Sequence, residues 1–158
     1  MNDLRGNPTA TDSREATEAA ERALWRMMSF YGTPIDDLDA AQAADPAWPL
    51  PALMRCGFLL SLTEPPLVAD ARAALVRAEA QIAAQGSRAE FREQAHRHAL
   101  HLLIEGDWHG ARNAWENLLL QHPRDALALQ WAHLFDFYQG DAASLRQRVA
   151  RVLPEWDA

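Results

Sequence analysis

Apolar residues recur three and four positions apart along almost the whole chain, and short polar turns punctuate them. That rhythm is the period of amphipathic helices. Ala16, Ala19, Ala20, Ala23, Leu24, Met27 and Met28 form the first stripe. Asp12 followed by Glu15 predicts a capping box at its start, and Gly32 its end. Pro34 opens a second helix with Ile35, Leu38, Ala41 and Ala44 inward, and Asp45-Pro46 stops it. A third is expected from about Trp48 to Leu62, before Glu64-Pro65-Pro66. A fourth is expected from about Val68 to Ala84, with Ala71, Ala74, Leu75, Ala78 and Ile82 on one side. After the turn at Gln85-Gly86-Ser87, Ser87 with Glu90 reads as a second capping box.

The fifth helix carries Phe91, Ala95, Ala99, Leu102 and Leu103 on one face. Gly106 can end it in a left-handed conformation and Asp107 can cap the sixth, which buries Ala111, Trp115, Leu118 and Leu119. His122-Pro123 stops the sixth, and Asp125 caps the seventh. There Ala128, Trp131, Ala132, Phe135 and Tyr138 make one stripe and Leu127, Leu134 and Phe137 another, so cover is expected on two sides. The eighth helix follows Gly140-Asp141 and turns Leu145, Val149, Val152 and Leu153 inward, leaving Arg146, Arg148 and Arg151 as a solvated surface.

The two Gly-Asp turns lie 34 residues apart, the period of a helix-turn-helix repeat. Eight helices pair into four αα-hairpins, and no strand signal competes. The fold class predicted is all-α, a right-handed αα-superhelix, or solenoid, of about four helix pairs. Residues 1–11 read as a flexible leader. Residues 12–158 read as a single domain, with degenerate pairs at 12–46 and 47–86 and clearer repeats at 87–125 and 126–158.

Composition narrows the function classes. The 158 residues are 49 % hydrophobic, which suits a globular chain. The net charge is −7 and every basic residue is arginine, which disfavours nucleic acid and removes lysine-based catalysis. A single cysteine, Cys56, excludes an internal disulfide framework, and the polar N-terminus has no signal-peptide core. No apolar run is long enough to span a bilayer. A cytoplasmic protein without membrane contact is expected.

The candidate chemistry is sparse. His96, His98 and His101 cluster in one helix, and His133 lies one repeat later. A four-histidine metal site could be drawn from them, but no carboxylate stands at ligand spacing. Ordinary histidines are expected instead, with His98 and His133 hydrogen-bonded between helices and His96 and His101 on a polar face. Cys56 has no evident partner base and reads as a small core residue. Asp36, Asp37 and Asp39 read as helix-start carboxylates. Trp115 and Trp131 are in register for the core, whereas Trp108 and Trp156 are candidates for exposed anchors, with Trp156 expected rather to fold back onto the last helix pair. No residue is a defensible catalytic candidate, and no cofactor is expected.

Residues 92–125 can be laid on the tetratricopeptide repeat pattern. Its Trp, Leu, Gly and Tyr places fall on Ala95, His98, Ala99 and Leu102, and its Ala, Phe and Pro places on Ala111, Trp115 and Pro123. A wider set of motifs comprises Ala43-Ala44-Asp45-Pro46, Gly106-Asp107-Trp108, Trp115-Glu116, and His122 to Leu129. It continues through Ala132-His133, Gly140-Asp141 and Leu145-Arg146 to the run from Arg148 to Pro154, with Trp156. Together these resemble the N-terminal region of the tetratricopeptide repeat protein 38 family. Members of that family are longer and continue in helical repeats with His-rich segments, so the resemblance implies a fragment or a shortened relative.

In tetratricopeptide arrays the first helix of each pair lines a concave, partner-binding face. The resemblance therefore implies a groove lined by His96, Leu100, Leu103, Ile104, Leu127, Gln130, Leu134, Phe137 and Tyr138. Packing beneath a further helix is an equally open reading of these positions. The expected function is a protein-interaction module whose partner is a protein or peptide. The alternative is the N-terminal part of a longer enzyme or ligand-binding protein whose histidine-bearing helices lie elsewhere. Self-association through the C-terminal helix pair is a further expectation, because Leu145, Val149, Val152 and Leu153 lack obvious cover.

Overall fold

The computed structural model describes residues 1–86 and 90–156. Among these residues the fold is all-helical, with no strand. The helices are α1 (Arg14–Ser29), α2 (Ile35–Ala44), α3 (Leu50–Ser61), α4 (Val68–Gln85), α5 (Phe91–Ile104), α6 (Trp108–Gln121), α7 (Ala126–Gln139) and α8 (Ala142–Val152). Each corresponds to a helix expected from the periodicity.

Local chemistry sets the ends. The side chains of Asp107, Asp125 and Asp141 accept from the backbone N–H groups of Gly110, Ala128 and Ser144. Each cap satisfies a donor the helix cannot, and is worth about 1 kcal/mol. Gly106 and Gly140 have φ of 85° and 70°, the left-handed geometry that terminates α5 and α7. Two expected boundaries move. Ser13, not Asp12, caps α1 by accepting from Ala16 N–H. Phe30, at φ 54°, ends α1 before Gly32 is reached. The proposed Ser87–Glu90 box involves Ser87, which lies outside the described residues. Glu90 itself precedes α5 without a side-chain cap bond.

Each helix packs on the next in sequence, and α3 reaches further, touching α5 and α7 as well as α4. In a regular solenoid each repeat meets only its neighbours. The α3–α7 contact joins the second helix pair to the fourth. Gly57 makes it possible: a Cβ there would overlap the Trp131 indole. Trp131 in turn lies 5.5 Å from Trp115, which stacks on Phe135 at 5.9 Å, and Trp108 meets Phe135 edge-on at 5.2 Å. These rings, with Leu53, Met54, Leu100, Leu118 and Leu127, form the centre of the core.

Residues 1–11 are not the loose leader that was expected. They form a hairpin packed on α5 and α1, with Asn7, Thr9 and Thr11 buried. The buried face of α5 is also rotated from the expected one. Arg92, Glu93, His96, Ala99, Leu100 and Leu103 turn inward, while Phe91 is exposed and Ala95 and Leu102 are half-buried.

Candidate partner-binding surface

The nine positions expected to line one groove divide by depth. His96, Leu100, Leu103 and Leu127 are fully buried and belong to the core. Ile104, Gln130 and Leu134 are half-buried, and Phe137 and Tyr138 are exposed. Among the described residues these positions do not share one cleft: Gln130, Leu134 and Tyr138 line one, Leu103 and Ile104 another, and the C-terminal turn of α3 contributes to both. Tyr138 Oη donates to the Ser61 carbonyl at 2.7 Å and ties α7 to that turn. Helix α7 therefore has the second cover expected of it, but only over its N-terminal half, where Leu127 is enclosed.

Two clefts remain, one on each side of the α3 end. The first, about 330 Å³, is lined by Met27, Phe30, Phe58, Leu62, Gln130, Leu134 and Tyr138, with Arg26 at its edge. The second, about 400 Å³, is lined by Leu59, Leu60, Pro65, Val68, Leu103, Ile104, Trp108 and Phe135. Two exposed aromatics line the first, Phe30 at 78 % and Tyr138 at 41 % exposure; Phe137, 66 % exposed, stands beside Tyr138 with ring centroids 6.1 Å apart. Trp25 and Tyr31, also exposed, meet edge to face at 5.9 Å. The sequence reading placed none of Trp25, Phe30 or Tyr31 in a binding surface. Phe30-Tyr31 directly before Gly32 was the available signal, two large aromatics at a helix end with no stripe to join.

The buried charged side chains sort into two networks. In the first, Arg92 Nε donates to Asp125 Oδ2 at 2.7 Å, and His96 Nε2 meets the same oxygen at 3.1 Å. Burial alone would raise the Asp125 carboxyl; Arg92 and His96 overcome that and hold it well below the usual carboxylate range. Glu93 accepts from the Trp48 indole N–H at 2.6 Å and from Ala10 N–H at 3.1 Å. Burial prevails there and raises its pKa, those two bonds opposing. In the second network Arg112 donates to Asp136 at 2.5 Å and to Asp141 at 3.1 Å. Arg148 joins Asp136 and Glu116.

Arg148 thus corrects the expectation of a solvated arginine face. Asp136, buried among the aromatics of α7, turns it inward. Arg146 is exposed, and Arg151 is exposed and paired with Glu116. The histidine assignment is also exchanged between His96 and His98, while His101 lies on the polar face as expected. His96 is the buried, bonded one, while His98 and His101 are exposed and His133 is half-buried. Among the described residues no group of three or more His, Cys, Asp and Glu is placed to hold a metal ion.

Cys56 is fully buried, and burial with the nearby Glu79 charge pushes its thiol up to about 12. Asp36 and Asp37 lie in the first turn of α2, where Asp37 takes Arg22 and Arg26 at 3.0 and 2.6 Å; Asp39 pairs with Arg55. Trp108 is half-buried against Phe135, and Trp156 folds back so that its indole N–H donates to the Pro123 carbonyl at 3.0 Å. Neither is a free anchor. On α8, Val152 is buried, Leu145 half-buried and Val149 exposed, and Leu153, just past its end, is exposed. No helix among the described residues is long and apolar enough to cross a membrane.

No protein-family model matches the sequence, and no solved structure matches the fold.

Proposed function

We propose that this chain is a protein-interaction module of the tetratricopeptide-like kind, working in the cytoplasm, which takes its partner at the clefts flanking the end of α3. The observation that carries the reading is the aromatic rim of the first cleft. Phe30 and Tyr138 line the cleft and are exposed, and Phe137 is a further exposed ring beside Tyr138. Clustered exposed apolar surface beside a concavity is the signature of an interaction site, and aromatic residues are the usual anchors of protein interfaces. The partner such a surface suits is an apolar segment of another protein, an amphipathic helix or a short peptide with an aliphatic or aromatic anchor. Gln130 and Arg26 supply polar groups at the cleft that can fix its register.

The test compares partner capture by the wild-type chain with capture by Phe137→Ser, Phe30→Ser and the double variant. All three change exposed side chains, so the fold survives. Loss of the same captured protein in the double variant supports the reading. Retention of it at wild-type level, with circular dichroism unchanged, would reject this cleft as the binding surface.

A further inference from the structure

The two clefts beside the end of α3 differ in charge. Apart from Thr63, Glu64 and Gly106, the residues lining the second, of about 400 Å³, are apolar. That volume lies in the usual range of ligand-holding pockets. Gly106 leaves one flank open, since a Cβ there would meet nothing within 4 Å. Backbone strain marks both clefts. Among the described residues, the only non-glycine positions with positive φ are Phe30 at 54° and Thr63 at 55°. The first lines the first cleft and the second lines the second. Bulky and β-branched side chains are disfavoured in that region, and such strain gathers at sites that hold ligands.

The charge around the second cleft is of one sign. Glu64 is the single charged residue in its lining, and its exposed carboxylate has no partner among the described residues. Gly106 brings Glu105 and Asp107 to the same edge, one on each side of it in the chain. The basic groups next to this edge, Arg72 and His101, both act on Glu105. Glu64 and Asp107 are left without an opposite charge. The first cleft is the reverse: its charged lining residue is Arg26, held by Asp37 at 2.6 Å.

We infer that the second cleft takes a basic amphipathic segment of a partner protein: one large apolar side chain seated in the cleft, with a Lys or Arg within one helical turn of it set against Glu64. The inference rests on the reading of the clefts as a protein-interaction surface and adds the chemistry of the occupant. The apolar wall supplies the contact area and Glu64 the register, because a charge at the rim of an interface selects and orients its partner. An acidic segment is turned away from this cleft by Glu64, Glu105 and Asp107 together. The chain as a whole carries a net charge of −7, so attraction of a basic peptide to the whole chain must be separated from recognition at this cleft.

The test uses the full chain and a displayed library of random peptides of about twelve residues, about three helical turns. Selected peptides are labelled with fluorescein and titrated, with anisotropy as the readout, into wild type, Glu64→Lys, Asp36→Lys and Phe30→Ser/Phe137→Ser. Glu64 and Asp36 are exposed and their side chains have no partner among the described residues, so neither reversal breaks a contact. The expected peptides carry a large apolar residue with Lys or Arg within one turn. Glu64→Lys should weaken them about three- to tenfold, the effect of reversing one exposed pair. Asp36→Lys changes the net charge equally and should leave affinity within about twofold, because it is screened at a distance. Changing the peptide's basic residue to Glu should restore binding to Glu64→Lys. Equal losses in Glu64→Lys and Asp36→Lys overturn the inference, since the attraction is then to net charge. A consensus without basic residues overturns it too. Peptides lost in Phe30→Ser/Phe137→Ser but indifferent to Glu64→Lys overturn it while leaving the first cleft as an interaction surface. A selection that yields no binder overturns both readings. Light scattering closes the remaining route: self-association of the wild type that Glu64→Lys abolishes makes a second copy the occupant and overturns the inference.

Discussion

Replacing Gly57 by alanine tests the contact that shapes this molecule. In an exposed helix the exchange stabilises by about 0.5–1 kcal/mol, because glycine loses more backbone freedom on folding. In α3 the added Cβ would fall on Cζ2, Cε2 and Cη2 of the Trp131 ring. That ring has nowhere to move: it is buried, 5.5 Å from the Trp115 ring and edge-on to His96 at 5.6 Å. Forcing an extra carbon into a packed core costs about 1–3 kcal/mol. The propensity gain offsets part of this, leaving a net loss of about 1–2 kcal/mol. For a domain of this size that lowers Tm by about 2–8 °C. Scanning calorimetry on wild type and Gly57→Ala reads the sign directly. A Tm unchanged or raised would refute the close seating of α3 on α7, and with it the division of the groove into two clefts.

The remaining predictions concern depth and charge. Leu103→Ala should cost about 2–5 kcal/mol in urea unfolding, as for a buried leucine, whereas Phe137→Ala should stay within about 0.5 kcal/mol; equal losses would contradict the burial assignment. Cys56 should resist a disulfide reagent at mildly alkaline pH in the folded chain and react on unfolding, because its thiol is enclosed and pushed up to about 12; fast native reaction would contradict this. The two buried carboxylates should pull the pH dependence of stability in opposite directions. Asp125, depressed in the folded chain, contributes stability present above the ordinary carboxylate pKa and lost as the pH falls below it. Glu93, raised in the folded chain, makes folding more favourable as the pH falls through its folded value. Urea midpoints measured from neutral to acidic pH should therefore show Glu93→Gln to be neutral or stabilising at pH 7. Asp125→Asn should be destabilising by up to about 3–5 kcal/mol, since buried Arg92 then keeps only its longer contact with Asp3 at 3.4 Å. Similar losses for both variants would contradict the assignment.

The helices and their ends were legible because caps and periodicity are local. Asp107, Asp125 and Asp141 each stand where a helix leaves free N–H groups, and no distant residue is needed to see that. The interior was legible where it is apolar and hidden where it is polar. On α5 the inward face carries Arg92, Glu93 and His96, so the hydrophobic pattern points to Phe91, Ala95 and Leu102 instead. Arg148 was misplaced for the same reason, because its burial depends on Asp136 in another helix. His96 is fixed by Asp125, 29 residues away, which explains why the histidines exchanged roles. The hairpin at residues 1–11 is built from polar side chains whose partners lie far along the sequence, so composition alone reads it as loose. The nine groove positions came from the resemblance to tetratricopeptide arrays, in which the first helix of each pair lines a concave face. That resemblance carries no information about the packing of α3 on α7, which depends on Gly57 meeting the Trp131 indole.

The most direct measurement of partner binding places a photo-crosslinking phenylalanine analogue at Phe137 in one chain and at Val76, exposed on α4, in another. The expected result is a crosslinked partner from the Phe137 position, none from the Val76 position, and loss of the first product when Phe30 is also changed to serine. Equal crosslinking from both positions, or a product indifferent to Phe30→Ser, would contradict binding at the aromatic cleft.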